Sequence, residues 1–212
     1  MKSEITAVVL CGGLGTRLRP VVKDLPKCLA EVNGKPFVFY ILDQLVKAKV
    51  KSIILAVNYL GEMVQHIVGT MYNGVPIYYS YDTIENGGTG HALCMATKYF
   101  EIDNVLVLNG DTYIDFYISN FIRYSIHYSY GTAFVINVWN GITNMGMYFT
   151  KKSLIEEYIP DNRHYSLETS FLYDVFEQVI NAYLINSPFI DIGTPNAYAK
   201  AGEFMKMYFK GE

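Results

Sequence analysis

The sequence predicts an α/β fold built on a doubly wound, mostly parallel sheet, and three observations carry that reading. Apolar strand-like runs alternate with helix-like stretches from the N-terminus onward. The early strand runs are apolar along their whole length, which leaves no wet face and calls for cover on both sides. The glycine-rich stretch LCGGLGTRLRP (10–20) follows directly on the first run, at the carboxyl end of a strand, where open sheets of this kind bind ligands.

The first strand is ITAVVL (5–10). After the glycine loop, FVFYILDQLVKAKV (37–50) repeats its apolar residues at helical spacing. SIILAVN (52–58) reads as a strand and GEMVQHIVGTMY (61–72) as a helix. VPIYYSY (75–81) and GHALCMATKYF (90–100) continue the alternation, and VLVLNGD (105–111) is a short apolar strand ending in polar residues. The second half is less regular. It contains TAFVINVW (132–139), MGMYFT (145–150), a helix-like SLETSFLYDVFEQVIN (166–181) and YLINSPFIDIG (183–193). A last helix covers TPNAYAKAGEFMKMYF (194–209), with Pro195 where a helix begins. No linker, repeat or low-complexity segment interrupts the chain, so residues 1–212 read as a single domain.

Bulk properties narrow the function classes. A chain that is 51% apolar and 17% charged is neither disordered nor a solvating tail. A net charge of −3 gives no general attraction for nucleic acid, so basic character is local, at residues 17–27. No apolar run is long enough to span a membrane. MKSEITAVVLCGG enters a glycine loop and not a signal-peptide cleavage site. Cys11, Cys28 and Cys94 stand at spacings that fit neither a disulfide framework nor a zinc site, and a reduced, cytoplasmic protein is expected. The 19 tyrosines and 12 phenylalanines read as core and interface filler. Formation of a homo-oligomer is left open.

Three polar corners fall at strand ends: residues 11–20, Asn109-Gly110-Asp111, and Asp191. One pocket can collect all three. The loop is not a Walker A loop, because no Lys-Ser/Thr pair follows its glycines. Nor is it a dinucleotide fingerprint, since Gly13 and Gly15 are followed by Leu18, and Asn58 stands where a ribose-binding acid belongs. What remains is a turn whose glycines let backbone N–H groups approach an anion. Arg17 adds a fixed guanidinium fork for phosphate oxygens, and Lys27, behind Pro26, a point charge. The competing reading is a solvated turn with two unrelated charges.

These segments resemble the sugar-1-phosphate nucleotidyltransferases. LCGGLGTRLRP…LPKCLAEVNGKP is similar to that family's loop signature, ENGGTGHA (85–92) to its second glycine segment, and LNGDTYID (108–115) to the strand end with its metal-binding aspartate. FIDIGTPNAY (189–198) is similar to a late element of the same family. Within it, the LCGGLGTRLR and FIDIGTP wording and the short chain look most like the heptose 1-phosphate guanylyltransferases, which make GDP-D-glycero-D-manno-heptose.

The resemblance implies a Rossmann-like, GT-A-like nucleotidyltransferase fold and a reaction between a sugar 1-phosphate and an NTP, here a heptose 1-phosphate and GTP. It implies that Arg17 and Lys27 hold phosphates, and that Asp111 and Asp191 ligate Mg²⁺, an ion that takes oxygen donors. It places backbone contacts to the nucleotide at Leu10, Gly12, Gly13, Gly15 and Gly88, with Thr89 and Asn86 as candidate helpers. Sugar contacts fall to Asn144, Gly146 and Glu168. Cys11 is expected to pack under the loop, Arg19 to be solvated, and Asp115 to lie at the surface. Each of these acids and amides also suits an ordinary turn or cap.

Two departures stand out. The family usually carries a pair of strands ending in Glu-Lys before the Asn144 position, and FVINVWNGITNMG passes straight through without it. His91 stands where the family often has glycine. Competing enzyme readings are a hexose 1-phosphate uridylyl- or thymidylyltransferase and a cytidylyltransferase of a small phosphorylated compound. A non-catalytic sugar-nucleotide sensor or regulatory subunit is the competing reading of another class.

Overall fold

The structure, a computed structural model, describes residues 5–58, 60–82, 87–128, 131–175 and 180–209. The chain opens with β1 (Thr6–Leu10), then a short hairpin of β2 (Glu31–Val32) and β3 (Lys35–Pro36), and α1 (Val38–Lys47). There follow β4 (Ser52–Val57), α2 (Gly61–Val68), β5 (Met71–Tyr72), β6 (Val75–Tyr81) and α3 (Gly88–Ala96). β7 (Asn104–Asn109), β8 (Thr112–Ile114), α4 (Ile118–Tyr128), β9 (Thr132–Asn137), β10 (Thr143–Lys151) and α5 (Lys152–Tyr158) come next. A π-turn at Leu167–Phe171 runs into α6 (Leu172–Asp174), then β11 (Ile180–Ile185), β12 (Phe189–Asp191) and α7 (Pro195–Tyr208).

Eight strands form the main sheet in the order β11-β9-β10-β7-β1-β4-β6-β5. The run β7-β1-β4-β6 is parallel, and β11 is parallel to β9, while β10 runs antiparallel to both its neighbours. Side chains alternate across a strand, so β1, β4 and β7 divide their residues between two cores. Ala7, Val9, Ile53, Leu55, Leu106 and Leu108 pack with α1, α2 and α4. Val8, Ile54, Ala56, Val105 and Val107 pack with α3 and α5. This is the doubly wound α/β arrangement the apolar runs predict.

The element order departs from expectation in several places, the β2–β3 hairpin and β8 among them. The helix expected over 61–72 stops at Val68, because Gly69 takes φ +77°, and the chain then turns through Asn73 and Gly74, both at positive φ, as a β5–β6 hairpin. The helix expected over 166–181 is reduced to the π-turn and α6, with β11 beginning at Ile180; residues 176–179 lie outside the described residues. Helices α4 and α5 were not anticipated. α4 buries Ile118, Phe121, Ile122 and Ser125 at helical spacing.

The parallel strands set the site. β1, β4, β6 and β7 all end along one edge, and the antiparallel β10 begins there. Asp111, just past β7, is carried into β8, which pairs antiparallel with β12 in register Thr112↔Asp191. That pairing, with the Ile192 N–H donating to the Asp111 carbonyl at 3.0 Å, brings two distant acids to one corner.

Candidate active site

A cleft of about 500 Å³ opens along this edge. Leu10, Gly12, Gly13, Gly15, Arg17, Lys27, Gly88, Asp111 and Glu168 all line it, so most of the residues singled out in the sequence converge. Gly12 lies against Asn58, and a Cβ there would stand 3.3 Å from the Asn58 Cβ. Gly15 adopts φ +59° and its carbonyl accepts from the Leu18 and Arg19 N–H groups, closing the turn that presents Arg17. Arg19 is exposed and is not among the cleft-lining residues.

Lys27 sits on a single 3₁₀ turn (Lys27–Leu29) entered through Pro26. Its Nζ is ion-paired with Asp111 Oδ2 and lies 3.8 Å from Asp191 Oδ1. Two carboxylates therefore converge on one cation at the phosphate-loop side of the cleft. Gly193 makes the convergence feasible: a Cβ on it would meet Asp191 Oδ1 and Lys27 Nζ at 2.8 Å and an Arg17 nitrogen at 3.4 Å. Its N–H also donates to Asp191 Oδ1 at 2.6 Å. Partial burial, with Asp111 beside it, raises the Asp191 carboxyl above its ordinary value, against the pull of Lys27, the Gly193 N–H and Arg17. Among the described residues no group of three or more His, Cys, Asp or Glu gathers for a metal. The oxygen-only pair suits a hard cation that completes its shell with phosphate and water.

Asn144 and Gly146 lie beside the cleft and do not line it. Gly146 has φ +63° at a bulge in β10, and a Cβ there would come within 2.0 Å of Asn109 Nδ2. Asn144 Oδ1 accepts from the Gly146 N–H at 3.0 Å, and its amide donates to the Tyr148 hydroxyl at 3.2 Å. Tyr148 in turn faces Glu168 Oε1 at 3.5 Å. Burial first, then the Glu168 charge, pushes the Tyr148 phenol upward, so it stays a neutral donor. Glu168 Oε2 accepts from Thr89 and Ser166 hydroxyls, each at 2.9 Å. Glu168 thus faces the cleft with its carboxylate held by hydroxyls. Asn86 lies outside the described residues.

Cys11 is buried under the loop as expected. A hydrogen bond to Cys28 and burial push its thiol well above the ordinary value, which rules it out as a ready nucleophile. The structure bears out Asn109 of the second polar corner as a lining residue and adds three to which no site role was given: Asn58, Asp82 and His164. His164 approaches from the far side, its Nε2 3.0 Å from where a Gly88 Cβ would stand. Asn58 and Asp82 follow directly on the ends of β4 and β6, which is the signal that marks them; nothing local marks His164.

A family model described as nucleotidyl transferase matches residues 6–142. The chain belongs to the nucleotidyl transferase family. Two relatives, from Campylobacter jejuni and Aneurinibacillus thermoaerophilus, are named D-glycero-alpha-D-manno-heptose 1-phosphate guanylyltransferase. This nucleotidyl transferase is 32% identical to each, over 91% and 95% of its own length and 96% and 99% of theirs. HddC from Yersinia pseudotuberculosis superposes with a TM-score of 0.81 at 31% identity, over 93% of this chain and 98% of that one, and has also been solved with GMP-PN. As a member of this family the chain is an enzyme.

Proposed function

We propose that this nucleotidyl transferase joins a sugar 1-phosphate to the nucleoside monophosphate unit of an NTP, releasing pyrophosphate, with D-glycero-D-manno-heptose 1-phosphate and GTP as its substrates. The observation that carries this is the corner where Lys27, Asp111 and Asp191 meet beside the Arg17 loop, at a cleft that Arg17, Lys27, Asp111 and Glu168 line and Asp191 borders. The full-length relatives named for that reaction and the HddC complex with GMP-PN support the substrate pair.

The chemistry is the in-line attack of a sugar phosphate oxygen on the α-phosphorus. Both reactants are anions, so positioning and charge neutralisation dominate. Arg17 and the loop amides of Gly12, Gly13 and Gly15 hold the triphosphate. Lys27, turning from the carboxylates, steadies the phosphates near the reacting centre. Asp111 and Asp191 would hold Mg²⁺, which supplies charge neutralisation to the phosphates when bound. Leu10 and Gly88 frame the base and ribose.

On the sugar side, Glu168 accepts from sugar hydroxyls, with Asn144 and Gly146 shaping the floor beside it. The Glu-Lys strand pair is absent among the described residues: only residues 138–142 separate β9 from β10. Beyond Arg17 and Lys27, the cleft-lining residue able to carry positive charge is His164, and we assign it to the sugar phosphate. One sheet spans β1 to β11, and β12 and α7 return to the same site, which supports one domain over 1–212. No described helix is long and apolar enough to cross a membrane.

Pyrophosphate release measured with Mg²⁺ tests the reading, using GTP, UTP, dTTP, CTP and ATP against heptose, mannose and glucose 1-phosphates. Preference for GTP with the heptose phosphate is expected. Turnover of another pair would retain the mechanism and replace the substrates; nucleotide binding without turnover of any pair would favour a sensor.

A further inference from the structure

His91 is fully buried on α3, yet both of its ring nitrogens meet polar partners from other parts of the chain. Nδ1 lies 2.6 Å from Asp82 Oδ1, at the end of β6, and Nε2 lies 3.0 Å from the Asp161 carbonyl, beyond α5. A carbonyl only accepts, so Nε2 carries a proton. Nδ1 then faces the Asp82 carboxylate. Buried polar groups are kept when each partner is satisfied in this way. The pair sits directly beneath the cleft: a Cβ on Gly87 would meet His91 Nδ1 at 2.7 Å and Asp82 Oδ2 at 2.9 Å.

The Asp161 contact is one of several ties between α3 and a single arm; the Thr89 hydroxyl also donates to Glu168, and the His91 N–H to the Tyr165 carbonyl at 3.3 Å. Midway, the Tyr165 N–H donates to the Gly87 carbonyl at 2.8 Å, and the Tyr165 carbonyl accepts from the Gly90 N–H at 2.9 Å. At the far end, the Leu167 N–H donates to the Thr89 hydroxyl at 2.9 Å. Between and beyond these ties the arm presents His164 and Glu168 to the cleft. The other ties use backbone groups and one hydroxyl at the start of α3; the Asp161 tie depends on the His91 ring.

We propose that His91, with Asp82 behind it, is a positioning residue that latches the 161–168 arm over the cleft and so sets the sugar-phosphate subsite. The proposal rests on the transferase reading above for what the arm binds, and on geometry alone for the latch. His91 does not line the cleft; it acts through His164 and Glu168, which lie on the segment it fixes. A latch lost at one end displaces such groups by an ångström or so, and errors of that size are worth roughly a hundredfold in rate at a reacting centre.

The test separates latch from substrate. Hydrogen exchange of the substrate-free enzyme reports the arm. His91→Phe is expected to speed exchange across 161–167, whereas Asp82→Asn, whose amide can donate to Nδ1 and leave the Nε2–H on Asp161, keeps the protection. A histidine-selective ¹⁵N spectrum of the wild type is expected to show a protonated Nε2 at His91. In turnover, His91→Phe is expected to raise KM for the sugar phosphate at least tenfold while nucleotide binding, measured alone, shifts less than threefold. Unchanged arm exchange in His91→Phe, or an unprotonated Nε2, overturns the latch whatever the substrate proves to be. Faster exchange with an unchanged sugar-phosphate KM overturns its positioning role. Should no sugar phosphate be turned over by the wild type, the transferase reading falls, and exchange and the ring spectrum still judge the latch. If His91→Phe does not fold, the wild-type spectrum and Asp82→Asn decide.

Discussion

Arg17 and Arg19 stand two residues apart in one loop, and the fold treats them differently. Arg17 lines the cleft and approaches Gly193; Arg19 does not line it. Charged hydrogen bonds contribute about 1.5–3 kcal/mol each, so Arg17→Ala should weaken NTP binding roughly ten- to a hundredfold. Arg19→Ala should leave it within about twofold, and titration calorimetry with GTP distinguishes the two. Asp111 and Lys27 form the second residue-scale test. Asp111→Asn removes one of the carboxylates facing Lys27, and turnover should fall by about two to three orders of magnitude, the effect of losing one preorganised electrostatic group. Retained pyrophosphate release in that variant would separate Asp111 from the chemistry. These residues were legible because a phosphate loop needs glycine freedom and fixed charge at close spacing. His164 was not, since only the folded chain brings so distant a residue to the same cleft.

At the scale of elements, the bulge in β10 decides whether the sugar side is formed. Gly146 holds φ +63° with the Asn109 amide occupying the place of its missing side chain. Gly146→Ala must shift either the bulge or Asn109, and a displacement of about 1 Å near the reacting groups should lower kcat/KM by roughly a hundredfold. Activity within twofold of wild type would show that this corner is not part of the site. α4 supplies the complementary test of stability. Phe121 is fully buried against Tyr183 of β11, with ring centroids 5.6 Å apart, and Phe121→Ala should reduce stability by about 3–5 kcal/mol in urea unfolding. This helix escaped the sequence reading although its buried residues recur at helical spacing. Its tyrosines, isoleucines and phenylalanine favour strands as much as helices, and so obscured the period. The 61–72 segment failed in the opposite sense. Its helical pattern runs on past Gly69, but the left-handed backbone there ends the helix, and Asn73-Gly74 turns the chain back as a hairpin.

For the whole molecule, the alternation of apolar runs fixed the class of fold but not the order of strands. Nothing in MGMYFT announces that β10 inserts antiparallel between β7 and β9, because the pairing partner is chosen by the packing of the entire sheet. The abundance of tyrosine likewise acquired meaning only with burial. Tyr79 and Tyr113 are buried in the core, Tyr79 donating to the Gly69 carbonyl, and burial pushes both phenols up to about 12. Their folded values lie above the unfolded value of about 10, so the fold favours the neutral phenol. Stability from this source is complete below about pH 10 and is lost as pH rises through about 12. Far-UV circular dichroism should therefore collapse in that window, together with the final rise of tyrosinate absorbance. In a Tyr79→Phe, Tyr113→Phe double variant the loss of stability between about pH 10 and about pH 12, measured by urea unfolding at each pH, should be smaller than in the wild type. An unchanged loss would mean that the base-sensitive groups lie elsewhere.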